Sequence, residues 1–99
     1  MNIKISREAN NDIEQIWLYT LNNWSKEQAD RYYNIIFDEI EYLANYPNSG
    51  KYYGNLVNGY FRARVKSHLI FYKINTKENE IQIIRVLHHR MDIETRLNE

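Results

Sequence analysis

A chain of 99 residues, 43% hydrophobic and 26% charged, fits one compact domain, residues 1–99, and excludes a disordered protein, which lacks the apolar surface to offset ordering entropy. It has no cysteine, which excludes a disulfide framework and a thiolate metal site. No apolar run reaches membrane-spanning length and the first residues lack a signal-peptide core, so the expectation is a cytoplasmic protein with no membrane contact.

The formal net charge is zero, but residues 1–58 hold five Lys/Arg and eight Asp/Glu, and residues 59–99 hold eight and five. This balance argues against nucleic-acid binding by the whole domain. It leaves room for a local basic patch or for an acidic partner on the second half.

The chain opens with "NIKI", where Ile3 and Ile5 alternate with polar residues, a short half-buried strand. Ser6 follows as a helix cap. Ala9, Ile13, Ile16, Trp17, Leu21 and Trp24 then recur at helical spacing, which predicts one apolar face, with Asp12 and Glu14 in solvent. "SKEQ" reads as a capping box, Ser25 capping and Gln28 reaching back. A second helix presents Ala29, Tyr33, Ile36, Phe37, Ile40, Leu43 and Ala44, and stops near Asn45 because Pro47 cannot continue it. The short link around Asn22–Ser25 makes the pair an antiparallel hairpin.

Residues 46–59 hold the single proline and all three glycines, and read as one long loop. "FRARVK" then alternates at period two, with Phe61, Ala63 and Val65 on one face and Arg62, Arg64 and Lys66 on the other. "HLIFYKI" and "IQIIRVL" are apolar on both faces, as buried strands are, and are joined by a polar turn. The order β-α-α-β-β-β predicts a two-layer α+β domain, a helical hairpin packed on a small, mainly antiparallel sheet. Where the first strand joins the sheet stays open.

The chemistry-bearing residues gather late. His68, His88, His89 and Asp92 lack metal-site spacing, so neither a metal nor another cofactor is expected. Arg62, Arg64, Arg85 and His88 would serve RNA cleavage if they converged, with an imidazole for proton transfer and cations for phosphate. Equally, an alternating cationic strand is a common solvent face at a sheet edge. Tyr52, Tyr53, Tyr60 and Tyr72 suit base stacking or amphipathic core rims. An outer apolar edge on the second helix, Tyr32, Ile35 and Tyr42, exceeds what one sheet can bury and suits a partner protein.

Several stretches, "ANNDIEQIWLYT", "WSKEQADRYYNIIFDEIEYLANYPNSGK", "GYFR", "SHLIFY" and "RVLHHRMD", occur in an order that resembles the ParE/RelE toxin superfamily, and within it the ParE branch. The resemblance implies the toxin of a type II toxin–antitoxin pair of the kind that stabilises plasmids. It implies inhibition of DNA gyrase and neutralisation by a cognate ParD-like antitoxin, with DNA contacted only through that antitoxin. The activity expected is binding rather than catalysis, since no tyrosine follows Tyr72 to complete a RelE-type nuclease set. The alternative is a RelE-type ribosome-dependent mRNA endonuclease using Arg62, Arg64, Arg85 and His88. The expected target surface comprises Arg62, Arg64, Lys66, His68, His88, His89, Arg90, Met91 and Asp92. The antitoxin surface is expected at Trp17, Tyr32, Ile35 and Tyr42.

Overall fold

The computed structural model describes residues 1–52 and 59–97, apart from the side chain of Glu94; Tyr53 lies outside the described residues. The elements are β1 (Asn2–Ile5), α1 (Arg7–Asn23), α2 (Lys26–Asn45), β2 (Lys51–Tyr52), β3 (Phe61–Val65), β4 (His68–Asn75), β5 (Glu80–His88) and α3 (Ile93–Leu97). They form a two-layer α+β fold on a five-stranded mixed sheet of order β1-β5-β4-β3-β2. β3, β4 and β5 are the expected antiparallel meander. The first strand, unplaced by sequence, lies parallel to β5, with Ile3 opposite Ile81 and Ile5 opposite Ile83. A helical hairpin between β1 and the other strands permits this, because a parallel neighbour needs a long crossover.

Both serine caps form as the sequence predicts, whereas the expected return bond from the Gln28 side chain to the Ser25 N–H is not made. The Ser6 hydroxyl accepts from the Ala9 N–H at 2.9 Å, and Ser25 Oγ accepts from the Gln28 N–H at 3.1 Å. Ser6 also donates through its hydroxyl to the Ile84 carbonyl at 2.7 Å, so the cap of α1 is fastened to β5. The helical hairpin covers one sheet face, burying Ile13, Ile36, Ile40 and Leu43 against Val65, Ile70, Tyr72, Ile81, Ile83 and Val86. On the opposite face Leu69, Phe71 and Leu87 form a smaller cluster with Leu97 and Ile93 of α3. The apolarity of β4 and β5 on both sides thus has two covers, and the second one, α3, was not expected from the polar tail.

Three further expectations are revised. Among its described residues the 46–59 loop contains a 3-10 turn, Pro47–Ser49, and the two-residue edge strand β2. Trp24 is not core: it is the C-cap of α1 and is 71% exposed. Tyr33 also leaves the expected core face and is exposed, packed on Phe37 with ring centroids 4.8 Å apart.

Asp12 is not in solvent either. β1 ends opposite Ile83, so beyond it the edge of β5 has no strand neighbour among the described residues. Asp12 from α1 fills that role: its Oδ2 accepts from the Val86 N–H at 3.0 Å. The same carboxylate binds Arg85 through Nε at 2.8 Å and Nη2 at 3.0 Å. A register shift beside Phe71 leaves Ile84 as the extra residue of β5 and brings Arg85 opposite Phe71. Arg85 there also donates to the Arg96 carbonyl at 3.0 Å, linking β5, α1 and α3.

Candidate functional site: an apolar groove with a basic end

α1, α2 and the end of the sheet border an open groove of about 790 Å³. Ile16, Tyr19, Thr20 and Trp24 come from the α1 side, and Gln28, Arg31, Tyr32 and Ile35 from α2. Val86, His68, Lys66, His88 and Met91 complete it from the sheet end and the segment after β5. Tyr19 and Trp24 are 65% and 71% exposed, an aromatic pair left without cover at the groove wall. Large apolar groups left unpartnered in a concave surface mark a place for another molecule.

The groove's polar floor is a Tyr–His contact. The Tyr32 hydroxyl lies 3.2 Å from the Val65 carbonyl and 2.5 Å from His68 Nδ1. A phenol has one proton to give, so one of those bonds uses the hydroxyl proton and the other can be made by the N–H of a neutral imidazole. Burial pushes the Tyr32 phenol up. Burial, then the charges of His88 and His89, push His68 down to about 4, against a smaller opposing pull from Asp12. His68 is therefore neutral at pH 7. His88 sits edge-on to it at 5.2 Å and stacks on His89 at 4.6 Å.

The strand register distributes the cations. Arg62 lies opposite Phe71 and Arg64 opposite Leu69, so both are on the sheet face away from the helical hairpin. Val65, His68 and His88 share a row on the helix side. Arg85 is held by Asp12 and the Arg96 carbonyl. Arg62, Arg64, Arg85 and His88 are thus divided between two faces and an ion pair rather than gathered around one point.

Lys66, His68 and His88–Asp92, expected from the sequence to meet a target, share one end of the sheet. The His89 N–H donates to the Ser67 carbonyl at 2.9 Å, joining the β3–β4 turn to the exit of β5. Lys66 occupies this turn with φ 54°, a left-handed backbone that costs a lysine about 1–2 kcal/mol. Asp92 accepts from the Thr95 hydroxyl at 2.8 Å and so caps α3.

The side chains expected to meet an antitoxin are spread out. Tyr32 and Ile35 line the groove. Trp17 lines a separate cleft with Asn10, Tyr33 and Phe37, and donates through Nε1 to Asp30 at 2.9 Å. Tyr42 is exposed farther along α2 and packs on Tyr46 at 4.9 Å. Sequence reasoning missed Tyr19, Thr20 and Arg31 as groove residues; the available signal was an apolar arc on α1, Ile13 to Trp24, wider than a four-residue strand and its neighbour can cover. Among the described residues, no three His, Asp or Glu side chains are placed to hold a metal ion, and no helix is long and apolar enough to cross a membrane.

This helical hairpin on a five-stranded sheet is the fold of the ParE and RelE toxins. The isolated RelE toxin of E. coli superposes with a TM-score of 0.59 at 11% identity, covering 96% of this chain and 92% of that one. A structure described as the chromosomal ParDE TA system from P. aeruginosa aligns with a TM-score of 0.77 at 21% identity, covering 89% and 95%. Residues 3–93 match the family model described as the ParE toxin of the type II toxin-antitoxin system parDE. Toxin ParE1 of Caulobacter vibrioides is 36% identical over 94 residues, 95% of each chain. The chain belongs to the ParE family of type II toxin–antitoxin toxins, which implies an antitoxin partner.

Proposed function

We propose that this toxin acts by binding DNA gyrase, and that a ParD-like antitoxin silences it by laying an apolar segment along the groove between α1, α2 and the sheet end. The observation that carries this reading is the groove itself: a wide, mostly apolar surface with exposed Tyr19 and Trp24, built for a macromolecular partner rather than a small substrate. Arg62 lies on the sheet face away from His88, and Arg85 is held by Asp12 and the Arg96 carbonyl, which weighs against the mRNA endonuclease alternative. Gyrase and a plasmid-stabilising role both place the protein's work in the cytoplasm.

Purified toxin is expected to inhibit supercoiling by gyrase, or to stabilise its cleaved DNA complex, at micromolar concentration. Lack of either effect at excess toxin, together with codon-positioned cuts in primer extension on translated mRNA, would replace this reading with the endonuclease.

A further inference from the structure

One end of the sheet collects cations that form no ion pair with a described carboxylate. Arg64 folds its Nε–H back onto the Lys66 carbonyl at 2.8 Å. The His89 N–H bonds the Ser67 carbonyl at 2.9 Å, and the Arg90 N–H donates to His88 Nδ1 at 3.1 Å. These contacts bring Arg64, Lys66, His89 and Arg90 together at the rim of the sheet, where His89 lies within the field of both Arg64 and Arg90. Among the described residues, Arg64, Lys66 and Arg90 make no ion pair, whereas Lys26 and Arg85 do. The carboxylates on neighbouring elements are engaged: Asp12 by Arg85 and the Val86 N–H, Asp92 by Thr95.

A chain of zero net charge has thereby concentrated a local field. His89 registers it. Although exposed, its imidazole is held below the ordinary value by local desolvation and by the charges of His88, Arg64 and Arg90. Lys66 adds a second sign, since its left-handed backbone would suit asparagine or glycine better than the cation found there.

We propose that this end, Arg64, Lys66, His89 and Arg90, grips the phosphodiester backbone of duplex DNA directly. Phosphate oxygens are the partner that cations and imidazoles fit. A protein interface would centre on apolar and aromatic groups, as the groove does, and here the exposed large apolar group is Met91. The choice of duplex DNA over RNA rests on the gyrase reading above, because gyrase holds a duplex. The antitoxin then need not be the toxin's sole route to DNA.

Fluorescence anisotropy of a labelled duplex with the full chain tests this without gyrase. With three full charges on phosphates, log K should fall against log salt with a slope of about −2.7, roughly fortyfold between 50 and 200 mM. Combining Lys66→Asn, which tolerates the turn, with Arg90→Glu should cut affinity at 50 mM at least about tenfold and flatten the slope to about −0.9. Lys4→Gln with Lys77→Glu removes the same net charge elsewhere and should bind as the wild type does. In NMR titrations, saturation with duplex should move the His89 transition to higher pH, as nearby phosphates favour its charged form.

A duplex that fails to bind, a control pair that loses as much as the test pair, an unmoved His89, or single-stranded RNA bound at least tenfold tighter would each overturn the proposal. Toxin that inhibits supercoiling but does not bind duplex overturns this proposal alone. Toxin that binds duplex but leaves supercoiling untouched supports the DNA contact and overturns the gyrase reading.

Discussion

Replacing Asp12 with alanine removes two bonds to Arg85, at 2.8 and 3.0 Å, and the acceptor for the Val86 N–H at 3.0 Å. The Asp12 and Arg85 side chains are only 11% and 12% exposed, so water can replace little of what is lost. Breaking a buried pair from one side costs about 3–5 kcal/mol, and an orphaned N–H about 1–3 kcal/mol. Arg85 keeps the Arg96 carbonyl at 3.0 Å, which holds the total to the lower end, about 3–4 kcal/mol. That is a large share of the roughly 5–15 kcal/mol such a domain has. It corresponds to a fall in Tm of roughly 12–30 °C. Urea unfolding followed by circular dichroism measures it. Asp12→Ala combined with Arg85→Met should lose less than the two single variants summed, because no unpaired charge is left buried. A loss below about 1 kcal/mol, or a double variant as unstable as that sum, would refute the reading of this pair as the closure of the β5 edge.

The remaining predictions concern the groove, the turn and pH. His68 has a folded value of about 4, below the roughly 6.5 of an unfolded chain. Its contribution to stability is complete above about pH 6.5 and is lost as pH falls toward 4, because the unfolded chain takes up the proton first. The full shift would be worth about 3 kcal/mol, and partial solvent access reduces it to about 1–2 kcal/mol. Urea melts across this range should show the loss, and His68→Gln should flatten it. At Gly50 an added Cβ would stand 2.2 Å from the Tyr72 hydroxyl and 2.8 Å from the Arg62 carbonyl. Gly50→Ala should therefore cost about 1–3 kcal/mol in the same assay. Tyr72→Phe, which loses donation to the Pro47 carbonyl at 2.8 Å and acceptance from the Gly50 N–H at 3.0 Å, should cost about 1–3 kcal/mol. Tyr19→Ala with Trp24→Ala, both exposed, should leave stability within about 0.5 kcal/mol. The same pair should weaken antitoxin binding at least about tenfold by calorimetry.

Local chemistry was legible in the sequence; the rest depended on what met across the fold. Ser6 and Ser25 announced both helices because a cap needs only its own first turn. The meander was legible because short links join its strands. The partner of β1 was not, since nothing within four residues records a neighbour at the other end of the chain. Trp24 misled because helical spacing says which face it takes but not whether anything covers that face at the end of α1. Asp12 looked solvated because its partner, Arg85, is 73 positions away. The candidate site divides the same way. His88–Asp92 was visible as an unusual polar run, whereas Tyr19 and Arg31 join the groove only through the packing of two helices beside the sheet end.

The pairing of β1 with β5 also has a meaning in time. Ser6 and Ile84, joined by a hydrogen bond, are 78 positions apart. The helical hairpin can form from local contacts, but β1 has no strand to pair with until residues 80–88 are present. Val86 and His88 of that late strand also line the groove. The groove is therefore assembled last. A partner that reads it can distinguish a chain that has completed β5 from one that has not.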